Sequence, residues 1–131
     1  MYDINLLIDM FKDMHLGNAV SDDLISDSER RLNLKFSNEY KLYLRKYGVV
    51  SLSGHEFTGL IEAKRLNVVA CTLDLRSKKP DLPGNFYVIE DLGIDSLFAC
   101  QTEKGTVYLV SSELSEMKKV AESIGDYLFK S

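Results

Sequence analysis

Apolar side chains recur every three or four residues between Ser21 and Gly48, a spacing typical of amphipathic helices. Ser21 and Ser37 each stand directly before such a segment, where a hydroxyl oxygen can accept a backbone N–H and begin a helix. The buried face of the first helix is predicted to carry Leu24, Ile25, Ser28 and Leu32. That of the second is predicted to carry Tyr40, Tyr43, Leu44 and Tyr47, with Gly48 as a left-handed stop.

Three further segments also have helical periodicity. The first runs from about Ile4 to His15, with Asp3 as its N-cap and Gly17 past its end. The second begins at Asn67 and would bury Val68, Cys71, Thr72 and Leu75, although its VVACTL segment also suits a buried strand. The last begins at Ser112 or Ser115 and would bury Met117, Val120, Ala121, Ile124 and Leu128.

Segments rich in β-branched and aromatic residues predict strands in the middle of the chain. VVSLSG and HEFTGLI are short candidates that follow Gly48. Three longer ones run from Phe86 to Glu90, from Ser96 to Gln101 and from Thr106 to Val110. The turns between them contain Gly93 and Gly105, residues that adopt positive φ without strain. The pattern therefore predicts an antiparallel meander.

Together these elements predict an α+β fold in a single domain that covers residues 1–131. We expect a mixed or mostly antiparallel sheet of about five strands, covered chiefly on one face by helices. Internal repeats, low-complexity segments and shifts in composition that would mark a second domain are absent from the sequence. Residues from four predicted elements should meet in one core: Tyr40, Leu44, Phe98 and Ile124.

Composition excludes several classes of protein. With 45% hydrophobic and 27% charged residues, the chain is unlike a disordered or fibrous one. Its net charge of −4 argues against a general affinity for nucleic acid, which needs a concentrated basic stripe. No apolar segment approaches the roughly 20 residues that span a bilayer, and the first residues lack a basic start and a small-residue cleavage site. We therefore expect a cytoplasmic protein without membrane contact.

Side chains that carry chemistry are sparse. Cys71 and Cys100 lie in apolar segments, which predicts buried free thiols rather than a disulfide, with no neighbouring basic residue to favour a thiolate. His15 and His55 have no second ligand at metal-binding spacing. A glycine-rich phosphate-binding loop is also missing from the sequence. The sequence therefore predicts no catalytic residue, no metal site and no cofactor.

The segment from Ile25 to Gly48 resembles the N-terminal motif of the SUKH superfamily (Smi/Knr-like proteins). Members share an isoleucine, a glutamate four residues on, a leucine, a Leu-Pro pair, a tyrosine, a Phe-Leu pair and a closing Asn-Gly. The matching positions are Ile25, Glu29, Leu32, Phe36, Ser37, Tyr40, Tyr43, Leu44, Tyr47 and Gly48. Ser37 stands in place of the proline and Tyr47 in place of the asparagine. Further along, FYVIEDLGIDSLFACQTEKGTVYLV resembles the family's hairpin strands and IGDYLFK its terminal helix.

This resemblance implies a small binding protein. Many bacterial members are similar to immunity proteins, which bind and neutralise the toxic domain of a polymorphic or contact-dependent toxin, often a nuclease. The implied partner is a cognate toxin domain, bound without direct contact to nucleic acid by a monomer or weak dimer. A regulatory module of the same superfamily with a non-toxin partner is the main alternative. A small metabolite-binding protein or enzyme is a further alternative, which the absence of a convergent polar site disfavours.

Glu90, Asp91 and Asp95 flank the first turn of the predicted meander and are the leading candidates for partner binding. Paired carboxylates perform acid and base chemistry when burial raises the pKa of one of them. On a turn they are more simply solvated. If they have a function, we expect them to contact a cationic partner, in place of the phosphates that a nuclease engages.

Glu29, Tyr47 and Asp27 are further candidates on the predicted helix pair. Glu29 matches the acid of the family motif and has two interpretations, a structural carboxylate that accepts hydrogen bonds from a nearby loop or a direct partner contact. Tyr47 belongs either to the core or to a tyrosine rim beside a binding site. Asp27 extends the acidic group of Asp22 and Asp23, which already suit the first turn of a helix.

Overall fold

The structure is a computed structural model that describes residues 12–15, 19–47, 50–52 and 55–130. Its helices are α1 (Asp22–Leu32), α2 (Asn38–Lys46), α3 (Val68–Lys78) and α4 (Ile124–Lys130), with a 3-10 turn at Lys64–Leu66. Its strands are β1 (Lys12–His15), β2 (Val50–Leu52), β3 (His55–Glu56), β4 (Tyr87–Asp91), β5 (Leu97–Gln101), β6 (Val107–Ser111) and β7 (Met117–Ala121).

The starts of three helices confirm the capping predictions. Ser21, Ser37 and Asn67 each accept the backbone N–H of the residue three positions on, at 3.2, 3.0 and 3.0 Å. The predicted buried face of α2 is confirmed in full. The predicted buried face of α1 is confirmed except at Leu24, which is 43% exposed. Glu29 is buried on this face in its place.

The strands form two antiparallel sheets. A four-stranded sheet has the order β4-β5-β6-β7, and a three-stranded sheet has the order β1-β2-β3. An isolated antiparallel bridge between Phe57 and Glu90 links the two sheets at the β4 edge. The α+β prediction is therefore confirmed, with the predicted meander extended by one strand.

Alternation along the four-stranded sheet separates two hydrophobic clusters. Tyr87, Ile89 and Ala99 pack into the larger cluster, whose helical members include Tyr40 and Leu44. The smaller cluster contains Val88, Cys100 and Val110, whose side chains point to the opposite face of the sheet. Ile124 joins the larger cluster as expected, but Phe98 packs against the smaller one. The prediction of one shared core was wrong for Phe98 because neighbouring residues of a strand point to opposite faces.

The helix predicted from about Ile4 to His15 is wrong over Lys12–His15, which form β1 and pair antiparallel with β2. Residues 4–11, Gly17, Gly48 and Gly54 lie outside the described residues. The final helix was predicted too long. Met117–Ala121 form the edge strand β7, and only Ile124–Lys130 are helical. In both places tertiary pairing outweighs an apolar spacing that also suits a helix.

A buried polar network ties α2 to the sheet and to α4. Gln101 Oε1 accepts hydrogen bonds from the hydroxyls of Ser37 at 3.0 Å and Tyr87 at 2.7 Å. Gln101 Nε2 donates to Glu39 at 3.0 Å. Glu39 in turn accepts the first backbone N–H groups of α4, from Ile124 at 2.6 Å and from the next residue at 3.1 Å. One carboxylate therefore caps α4 from a different helix.

Candidate functional site

The turn between β4 and β5 exposes two of the predicted site residues, Asp91 and Asp95. The backbone N–H of Leu97 donates to Ile94 O at 3.0 Å, and the two residues between them, Asp95 and Ser96, have φ values of 52° and 55°. Positive φ at both central positions is what a type I′ turn requires, and it is unusual where neither residue is glycine. Asp91 also holds the turn, since its Oδ1 accepts the N–H of Gly93 at 2.9 Å.

Glu90 differs from its two neighbours because it is buried. Its Oε2 lies 2.9 Å from His55 Nδ1, and its Oε1 accepts a hydrogen bond from the Tyr127 hydroxyl at 2.6 Å. The His55 ring stacks on Phe57, with centroids 5.8 Å apart, and meets Tyr127 edge-on at 5.6 Å. The expectation of a solvated carboxylate was wrong for Glu90, because the strand that carries it turns its side chain toward β3 and α4.

Electrostatics within this cluster favour the protonated form of His55. The hydrogen bond to Glu90 raises the pKa of His55 above its ordinary value of 6.5, and burial opposes the rise. Burial raises the pKa of the Tyr127 hydroxyl, and the hydrogen bond to Glu90 raises it further. Tyr127 therefore stays protonated, and its hydroxyl donates a hydrogen bond to Glu90. The arrangement holds β3, β4 and α4 together.

Beside this cluster lies a depression of about 300 Å³, which Asp91 and Glu90 line together with Glu56 and Arg65. Arg65 binds Glu56 through two hydrogen bonds of 3.0 and 3.2 Å. Pockets for small organic ligands are mainly apolar with a few converging polar groups. A lining that includes three carboxylates and a guanidinium suits a charged surface contact better than a metabolite.

The structure places Glu29 and Tyr47 inside the protein. Glu29 Oε2 accepts the backbone N–H of Phe36 at 2.8 Å and lies 3.7 Å from Lys41 Nζ. This geometry supports the interpretation of Glu29 as a structural carboxylate that holds the loop before α2. Tyr47 packs in the larger hydrophobic cluster, as the core interpretation expects. Burial removes both side chains, like Glu90, from the surface that a partner would touch.

Asp27 keeps a half-exposed side chain, which pairs with Arg30 at 3.2 Å. Its neighbour Asp22 pairs with Arg45 at 2.6 Å. These arginines neutralise much of the acidic group on α1. Among the described residues, Asp91 and Asp95 have no such ion pair, so the exposed negative charge of the predicted site is concentrated at the β4–β5 turn.

Thiol and metal chemistry find little support in the described part of the chain. Burial raises the pKa of Cys71 to about 11 and that of Cys100 to about 12, so neither is a thiolate at neutral pH. Both cysteines are free, with Cys100 buried and Cys71 only half-buried. The described residues contain no group of three or more His, Cys, Asp or Glu side chains arranged to hold a metal ion. None of their helices has the length and apolarity of a membrane span.

A second turn, between β6 and β7, lies beside the first and was not among the predicted site residues. Ser112 N–H donates to Ser96 O at 3.0 Å, and the Ser96 hydroxyl donates to Glu113 Oε1 at 3.3 Å. Sequence reasoning placed this segment at the start of a long helix and therefore overlooked it. The signal that could have revealed it is an isolated leucine, Leu114, among serines and glutamates.

Comparisons with known proteins agree with this fold. Among curated proteins, none matches the sequence. A solved structure, a crystal structure of a protein from Pseudomonas syringae pv. tomato, superposes with a TM-score of 0.71 and 18% sequence identity, covering 96% of this chain and 92% of that one. The model of the SMI1-KNR4 cell-wall family (SUKH_6) matches residues 22–128. Because this match spans most of the chain, the protein belongs to the SMI1-KNR4 cell-wall family of the SUKH superfamily.

Proposed function

We propose that the protein is an immunity protein that binds and neutralises a cognate bacterial toxin, one with a nuclease-type domain. The observation that carries the proposal is the pair of exposed, unneutralised carboxylates, Asp91 and Asp95, on a turn whose backbone is held by hydrogen bonds. Nuclease domains present basic surfaces to nucleic acid, and carboxylates at fixed positions complement such a surface.

The protein acts stoichiometrically, by covering the toxin's active site or by locking one of its conformations. Exposed carboxylates contribute mainly to the rate of association, because long-range attraction steers a cationic partner toward them. Catalysis has no role in this mechanism. The absence of an activated thiol and of a metal-binding group in the described residues supports a function by binding.

Co-expression with the open reading frame directly upstream tests the proposal. We expect the protein to restore growth of cells that express this toxin and to co-purify with it, whereas an empty vector does neither. A regulatory module with a different partner would fail on both counts. A metabolite-binding protein would bind no toxin and would shift its melting temperature with a small molecule instead.

A further inference from the structure

Two large apolar side chains at one end of the sheet are more exposed than the other large apolar side chains whose exposure the structure describes. Ile94, on the β4–β5 turn, is 62% exposed, and Leu114, on the β6–β7 turn, is 65% exposed. Single exposed apolar residues need no explanation. Here the two most exposed ones lie on turns that are bonded to each other through Ser96.

Both turns are held in place by specific contacts, so the exposure does not come from a loosely attached loop. Leu114 O accepts a hydrogen bond at 2.6 Å from the buried side chain of Lys79. Leu114 N donates to Ser111 Oγ at 3.1 Å. Ile94 O accepts the N–H of Leu97 across a turn whose central residues have positive φ. A side chain presented on a fixed backbone loses little entropy when a partner covers it.

Negative charge surrounds the two apolar side chains. The segments 91–96 and 112–116 contain the exposed carboxylates of Asp91, Asp95, Glu113 and Glu116 and no basic residue. Their formal charge equals that of the entire chain, −4, so the remaining acidic and basic residues balance. This end of the sheet therefore combines two exposed apolar side chains with four exposed carboxylates, and the nearby ammonium of Lys79 is buried, donates to Leu114 O and pairs with Asp81.

We propose that Ile94 and Leu114 are the apolar anchors of the toxin interface, within a rim formed by these four carboxylates. We call this surface the two-turn patch. The assignment rests on the proposed function and specifies its contact surface. The partner presents an apolar recess bordered by lysine or arginine side chains. Anchors that become buried at the centre of an interface slow dissociation, whereas rim charges accelerate association.

A cationic protein fits the patch better than other occupants. A second copy of this chain, docked patch to patch, would bring four carboxylates against four others. Nucleic acid and anionic lipid would meet the same repulsion. A basic toxin domain instead pairs every rim charge while its apolar surface covers Ile94 and Leu114.

Binding kinetics of matched variants test this assignment. The probe is the catalytically inactivated toxin domain encoded directly upstream, immobilised for surface capture. Ile94→Gln with Leu114→Gln should increase the dissociation rate at least about tenfold and leave the association rate within about twofold. The control is Leu42→Gln, which alters an exposed leucine on α2 and should bind like the wild type. Melting temperatures should stay the same, because all three side chains are exposed.

Hydrogen exchange gives a second measurement. Binding should protect backbone amides in residues 92–96 and 112–116. Wild-type binding with unchanged dissociation in the double variant, or protection confined to another surface, would overturn the patch and leave the proposed function intact. A dimer that the double variant dissolves would also overturn it, since the occupant would be a second copy. Absence of wild-type binding would overturn the proposed function and, with it, the toxin as occupant.

Discussion

Glu90 joins three elements of the fold through one carboxylate, which contacts His55 on β3 and Tyr127 on α4. Its neighbours Asp91 and Asp95 lie on the surface. Three acids that look equivalent in the sequence therefore divide into one that stabilises the fold and two that remain available to a partner. Strand alternation separates Glu90 from Asp91, because adjacent side chains point to opposite faces.

The pair of His55 and Glu90 predicts how stability changes with pH. Because the folded-state pKa of His55 is raised above 6.5, the pair's full contribution is present below that value and is lost as pH rises through the raised pKa. Urea unfolding across a pH series should therefore show a decrease of unfolding free energy above pH 6.5, and His55→Gln should flatten it. An unchanged slope in His55→Gln would contradict this assignment.

The two cysteines should be chemically inert in the folded protein. Cys71→Ser with Cys100→Ser is expected to preserve binding to the proposed toxin while lowering the unfolding free energy by about 1–3 kcal/mol, because at Cys100 a hydroxyl replaces a thiol in a buried apolar site. In the native wild type, alkylation of Cys100 at pH 8 should be slow, since burial raises its pKa to about 12. Loss of binding with a normal melting transition would show that a thiol takes part in recognition.

At the scale of elements, local signals were sufficient for the helices that begin with a capping side chain. Each of these caps, Ser21, Ser37 and Asn67, accepts a backbone N–H only three residues further on, so the helix start can be predicted from the local sequence. Lys12–His15 form a strand because they pair with β2, which is distant in the chain. Met117–Ala121 form a strand because they pair with β6 and complete the edge of the four-stranded sheet. Their apolar spacing suits a helix equally well, and only the pairing partner decides between the two.

The start of α4 depends on a carboxylate that lies more than eighty residues away in the chain. Glu39→Ala would leave the backbone N–H groups of Ile124 and Gly125 without an acceptor and should cost about 1–2 kcal/mol. Glu39→Gln, which keeps one amide oxygen, should cost less. Thermal unfolding measures the loss, and hydrogen exchange should show earlier opening of residues 124–128. Exchange at the wild-type rate in Glu39→Ala would mean that α4 is held by packing alone.

At the scale of the whole molecule, the distribution of charge should govern how fast a partner is found. Asp91→Lys with Asp95→Lys should slow association with the inactivated toxin about tenfold or more at low salt, and the effect should shrink as salt rises. The Asn pair at the same positions keeps an acceptor for the Gly93 N–H at position 91 and a side chain that tolerates positive φ at position 95, so it should be intermediate.

The control for this measurement is Glu103→Lys, an exposed carboxylate on the β5–β6 turn at the other end of the sheet. It reverses one carboxylate where the test variant reverses two, and it should leave association nearly unaltered. Equal slowing per reversed charge by Glu103→Lys would mean that only net charge matters. Unchanged rates for the Asp91 and Asp95 variant would remove the β4–β5 turn from the encounter surface.

The candidate site was only partly predictable, for a physical reason. Asp91 and Asp95 could be predicted as site residues because both are acids at a predicted turn, and turns lie at the surface. Leu114 was not predicted, because its place in the site depends on the strand pairing that brings the β6–β7 turn beside Ser96. Conversely, Glu29 matches a family motif, but its carboxylate is buried and accepts the backbone N–H of Phe36. This surface is formed by two turns that the topology of the sheet brings together. The hydrophobic periodicity of a single segment gives no information about that topology.

A titration of toxin activity with the purified protein tests the central claim most directly. If the protein neutralises its toxin by covering it, activity should fall linearly and reach its minimum at an equimolar ratio, and it should return when the complex is dissociated. Activity that persists at a large molar excess would contradict the immunity function. Activity lost at a small fraction of an equivalent would show that the protein acts catalytically rather than as a stoichiometric binder.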